Sequence, residues 1–180
     1  MLIRILTVGA VGLLVGCATQ SSPTPAWNPS MSNVFSNDDV RPDETPREYW
    51  TAEDEELLLR RMGFADTVVL GTLRVLTQYN RGGVATQLTL AFKPDEVLFG
   101  KVATDEDDEI SLQPDPESQE FRSALRLQRS LPGTRYLLFL KQRPGVGPRW
   151  AVYYPSARLL DEVRSRYAWL RQHQQASHKM

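Results

Sequence analysis

The 180-residue chain holds one cysteine and two histidines, and 21 Lys+Arg nearly balance 22 Asp+Glu for a formal net charge of −1. Each shortage excludes something. A single cysteine excludes an internal disulfide framework. A near-neutral chain is a poor phosphate-backbone binder, so nucleic acid is not expected as a partner. His173 and His178 both lie in the C-terminal stretch QHQQASHKM. Nucleophilic triads need an imidazole held rigidly beside the nucleophile, and this position argues against one. No His/Cys set has zinc-ligand spacing. Gly82-Gly83 is too short for a phosphate loop and fits a turn. No apolar run reaches the roughly 20 residues of a transmembrane helix. The expectation is a non-enzymatic chain with no cofactor, no metal and no small-molecule substrate.

What is present begins at the N-terminus. Residues 1–16 read MLIRILTVGAVGLLVG. Arg4 supplies a positive flank, and Ile5 to Val15 is apolar except for Thr7 and small residues, as in a signal h-region. The run ends in Leu14-Val15-Gly16-Cys17. This resembles the lipobox of bacterial lipoproteins, in which a small residue before the Cys lets a peptidase reach the scissile bond. The resemblance implies that residues 1–16 are a removed signal peptide and that Cys17 is the lipid attachment site. One acyl chain gives only marginal membrane binding, at roughly 10⁴ M⁻¹, and a diacylglyceryl cysteine supplies two. Ala18, where an inner-membrane lipoprotein of the enteric type has Asp, resembles the outer-membrane default. The expected location is the periplasmic face of the outer membrane.

Residues 17–49 carry Pro23, Pro25, Pro29, Pro42 and Pro46 among Ser, Asn and Asp. Proline removes donors and blocks helix, and so polar a segment buries too little to offset its ordering entropy. It reads as a flexible tether. Trp27, Val34 and Phe35 are its exceptions, and packing on the protein's own domain is the favoured reading for them.

The domain reads as residues 50–172. Thr51 and Asp54 form a capping box, Glu53 to Glu56 load the first turn, and Arg60 and Arg61 complement the last turn of a helix stopped at Gly63. Strands follow at 65–78, at 87–93, where Pro94 should interrupt or bend the strand before 97–101 continues the sheet, and at 110–112. After them come Arg135 to Lys141 and Arg149 to Tyr154. Asn80-Arg81-Gly82-Gly83 and the run RPGVGP, Arg143 to Pro148, mark turns. The stretch 118–131 fits a helix through Phe121, Ala124, Leu125 and Gln128, while Leu125 and Leu127 also alternate as in a strand. Ser156 caps an amphipathic C-terminal helix carrying Leu159, Leu160, Val163, Tyr167 and Leu170. Residues 173–180 read as a frayed, disordered tail.

Asp105-Glu106-Asp107-Asp108-Glu109 is the one ligand-like cluster. It lacks the calcium-loop spacing, and a solvated loop is the expected role. Arg122, Arg126, Arg129 and Arg135 form a basic series without the charge excess of a nucleic-acid site.

The whole reads as a mainly β, α+β domain. Its expected core is a small five-stranded antiparallel OB-like barrel, with one helix before it and the amphipathic helix after. Three stretches sharpen this: Ala65-Asp66-Thr67-Val68-Val69-Leu70-Gly71, Val97-Leu98-Phe99-Gly100-Lys101, and Pro132-Gly133-Thr134-Arg135-Tyr136-Leu137-Leu138-Phe139-Leu140. They resemble the strand motifs of netrin-like modules, which include tissue inhibitors of metalloproteinases. Those inhibitors chelate zinc through a terminal Cys. The only Cys here lies in the lipobox, so that mechanism does not carry over. The expected partners are the membrane, through Cys17, and an envelope protein. Binding or inhibition of an extracytoplasmic enzyme is the alternative that the resemblance implies.

Overall fold

The computed structural model describes residues 24–35, 51–126, 128 and 133–177. Helix α1 spans Ala52–Phe64 and opens on the expected box: Asp54 N donates to Thr51 Oγ1 at 3.2 Å, and Thr51 N donates to Asp54 Oδ2 at 2.8 Å. Two details differ from the sequence reading. Gly63 lies inside the helix, which ends at Ala65, where the backbone turns extended at ψ 134°. Arg61 is fully buried beside Leu58 and Met62, whereas Leu59 is exposed.

Five strands follow the first helix: β1 (Thr67–Tyr79), β2 (Ala85–Phe99), β3 (Ile110–Leu112), β4 (Arg135–Arg143) and β5 (Val146–Tyr153). Helix α2 (Gln119–Arg126) lies between β3 and β4, within the stretch read as helical, and α3 (Ala157–Ser177) follows β5. The strands form one antiparallel sheet in the order β3-β2-β1-β4-β5. The sheet does not close: β3 and β5 are its two edges. Pro148 lies in β5, where a residue without an N–H suits an edge strand.

β2 continues through Pro94 as one strand with an irregularity beside it: the register passes from Leu70 opposite Glu96 to Gly71 opposite Pro94, so Asp95 of β2 is the extra residue. Gly71 is required there. A Cβ would lie 2.7 Å from Phe92 Cε1 and closer still to the Lys93 carbonyl oxygen. β2 ends at Gly100, whose φ of +77° favours glycine.

Residues 67–71 of β1 are all buried, because both faces of the sheet are covered. On one face Val68, Leu70, Leu137, Phe139, Ala151 and Tyr153 pack under α1 and α3. On the other, Val69, Leu73, Leu90, Phe92, Leu138 and Val152 form a second core with Phe121 and Ala124 of α2. The strand alternation thus feeds two cores.

Tyr167 joins three elements of the first core. Its ring stacks on Phe99 at 4.6 Å, and its hydroxyl donates to the Met62 carbonyl at 2.9 Å. Burial pushes its phenol pKa up. Each such buried side chain contributes about 1.5–3 kcal/mol. Past Leu170 the helix continues through Ser177, beyond the boundary at 172 read from apolar spacing. Gln and Ala sustain helical backbone without an apolar stripe.

Residues 24–35, read as tether, pack on the domain. A 3₁₀ turn at Pro29–Asn33 starts where Asn28 Oδ1 accepts from Ser30 N at 3.1 Å. Met31 is 2 % exposed and Val34 and Phe35 are fully buried, the latter two in the core beneath α1 and α3.

Candidate contact surfaces

Cys17 and the lipobox residues Leu14, Val15 and Gly16 lie outside the described residues, as do Arg129 and His178. His173 lies on α3. Among the described residues no helix is long and apolar enough to cross a membrane, and no group of His, Cys, Asp and Glu is placed to hold a metal.

The acidic run is a turn organised by its first residue. Asp105 Oδ1 accepts from Asp107 N at 3.1 Å and Glu109 N at 2.9 Å, and Oδ2 accepts from Ser111 Oγ at 2.7 Å. These bonds, the Ser111 hydroxyl first, hold the Asp105 carboxyl below its ordinary range. Asp108 takes the left-handed conformation at φ 59°. Glu109 departs from the solvated reading. It is 7 % exposed and accepts from Arg74 Nη2 at 2.7 Å through each carboxylate oxygen. That pair ties β1 to the loop before β3.

Two residues of the basic series, Arg122 and Arg135, have described side chains. Arg122 is exposed on α2, and Arg135, at the start of β4, donates to Asp95 Oδ2 at 3.1 Å. Neighbouring Glu96 accepts from Arg164 Nη2 of α3 at 2.6 Å. That bond is the main reason the Glu96 carboxyl sits below its ordinary value, and Arg135 and Arg171 add to it.

The sequence reading missed two buried cations, both holding the N-terminal segment. Arg61 Nε donates to the Val34 carbonyl at 2.7 Å, and Nη1 donates to the Tyr153 hydroxyl. Lys141, 1 % exposed, donates to Asp66 Oδ1 at 2.7 Å and to the Pro25 carbonyl. Asp66 Oδ1 also accepts from Thr24 Oγ1, and Oδ2 accepts from Gln142 N at 2.8 Å. Arg143 lies over Trp27, 5.8 Å from the ring centroid. The signal was available in part: Lys141 continues the inward alternation of Leu137 and Phe139, so a cation falls at a core position.

Two surface features stand out among the described residues. One is the β1–β2 hairpin. β4 pairs with β1 only over Thr67–Thr72, and β3 pairs with β2 only over Leu90–Phe92. The rest of the hairpin extends as two strands. Its turn is closed by Asn80 Oδ1, which accepts from Gly82 N at 2.9 Å and Val84 N at 3.0 Å. Around it Leu76, Tyr79 and Val84 are 51 %, 56 % and 60 % exposed. Exposed apolar groups on an arm are a contact feature. The other surface is a cleft of about 470 Å³ between the two sheet edges, lined by Leu112, Pro114, Asp115, Arg143, Arg149 and Trp150 among others.

No protein-family model, no curated protein and no solved structure matches this chain.

Proposed function

We propose that this chain is a lipid-anchored lipoprotein on the periplasmic face of the bacterial outer membrane, with a non-enzymatic domain that makes protein contacts in the cell envelope. The observation that carries the anchor is Leu14-Val15-Gly16-Cys17, closing an apolar run in a chain with no other cysteine. The contact role draws on the β1–β2 hairpin, where Leu76, Tyr79 and Val84 stay in solvent while two cores fill the rest of the sheet. The domain is an OB-like barrel opened between β3 and β5. Support for that comes from the order β3-β2-β1-β4-β5 and from α2 between β3 and β4, as in a partly open five-stranded Greek-key barrel. The netrin-like resemblance is of the same kind, and fold likeness alone assigns no activity.

Metabolic acyl labelling and membrane fractionation test the anchor. The native chain carries the label and fractionates with outer membranes, and Cys17→Ala loses both. Unchanged labelling and fractionation of Cys17→Ala would falsify the anchor. For the contact role, the native chain migrates within a larger assembly in detergent, and Leu76→Glu with Val84→Glu leaves it. Co-purification with a single hydrolase in equal amount favours the inhibitor alternative instead.

A further inference from the structure

We infer that the domain is held close to the bilayer in one orientation, with Trp27 and the β4–β5 turn against the lipid headgroups and the β1–β2 tip turned away. The inference rests on the lipid anchor proposed at Cys17. Chain length is the first argument. A tether spanning 17–49 would give the domain a reach on the order of 100 Å when extended. Docking of residues 24–35 removes that reach. Between Cys17 and Thr24, whatever the conformation, the chain spans at most about 25 Å.

The place where the docked segment starts is the second argument. Thr24 donates to Asp66, the Pro25 carbonyl accepts from Lys141, and Trp27 lies under Arg143. Asp66 immediately precedes β1, and Lys141 and Arg143 end β4. All three partners therefore lie at one end of the sheet. The β1–β2 turn lies at the other end of β1, a strand of 13 residues that spans up to about 40 Å. A short leash attached at the first end leaves the far tip pointing outward.

Surface chemistry is the third argument. The leashed end presents the half-buried Trp27 beside Arg143, and the exposed Lys101 follows the end of β2. The Lys101 carbonyl accepts from Thr67 Oγ1 at 2.7 Å, which fixes it at this end. An amphipathic aromatic beside cations suits the interface of a bilayer containing anionic lipid. The hairpin tip offers Leu76, Tyr79 and Val84 to an aqueous partner instead.

The test uses the full lipidated protein in vesicles of phosphatidylethanolamine and phosphatidylglycerol containing a nitroxide-headgroup lipid. A fluorophore is placed on Gln142→Cys or on Arg81→Cys, both exposed positions, Cys17 being blocked by its acyl chains. The expected result is quenching at 142 at least about twofold stronger than at 81, with circular dichroism unchanged in both. Inserting about twenty Gly/Ser residues after Gln20 brings the two towards equality by lengthening the leash. Equal quenching without the insertion, or stronger quenching at 81, overturns the orientation. Mass analysis of the N-terminal peptide separates the two readings. Acylated Cys17 with equal quenching removes the orientation alone, and unmodified Cys17 removes the anchor and the orientation with it.

Discussion

The ammonium of Lys141 lies 2.7 Å from Asp66 Oδ1, with the two side chains 1 % and 16 % exposed. The pair joins the residue before β1 to the end of β4, and the same ammonium reaches the Pro25 carbonyl. One buried cation thus fastens the N-terminal segment to the sheet. Desolvating such a pair is costly, and its bonds offset the cost only while both partners are present.

Lys141→Ala is therefore expected to destabilise the domain by about 3–5 kcal/mol, because it leaves the Asp66 carboxylate without its buried cation. Replacing both residues, as Lys141→Met with Asp66→Asn, restores part of that loss through coupling. Urea unfolding of the single and double variants measures both. Additive losses would show that the two groups act independently.

Phe35→Ala is expected to cost about 3–5 kcal/mol, the range for emptying a buried aromatic site. Trp27→Ala, at a half-buried ring stacked on Arg143, costs about 1 kcal/mol or less. Thermal unfolding of the two variants checks the ranking. If Phe35→Ala leaves the transition unmoved, residues 24–35 are not part of the cooperative core.

The Glu96 carboxyl is held below its ordinary value, chiefly by Arg164. A folded-state pKa below the unfolded one adds stability above the unfolded value. That increment is lost as pH falls through the folded value. Both partners are more than a third exposed, so solvent screens the effect to under about 1 kcal/mol. Glu96→Gln should therefore lose that increment at neutral pH, where it is fully present, change little well below the folded value, and so show a smaller acid-induced loss of stability below about pH 4.3. Carbon-13 titration of the Glu96 carboxyl checks the direction directly. A midpoint above that of a model peptide refutes it.

Local chemistry made much of the fold legible in the sequence. Thr51 and Asp54 needed only their own spacing to define the start of α1. Leu88, Leu90 and Phe92 needed only alternation to define a buried strand face. Asn80 to Gly83 carried their turn in the side-chain oxygen of Asn80 and the freedom of Gly83. These are contacts between near neighbours in the chain. The contact surfaces were less legible. Leu76, Tyr79 and Val84 look like ordinary strand residues until β4 and β3 are seen to stop short of them.

The sequence by itself determined the lone Cys17 after an apolar run, the two histidines towards the C-terminal end, the capping box and the succession of five strands. Tertiary structure decided the fates of Arg61 and Lys141. Arg61 reads as a surface complement to a helix dipole, yet it reaches Val34 and Tyr153 across 27 and 92 residues of chain. Phe35 reads as an exception in a polar tether that packs on the domain, and the structure seats it in the core. Spacing along the chain specifies which face a side chain takes. It does not specify which distant element will cover that face, and here that covering seats residues 24–35 on the domain.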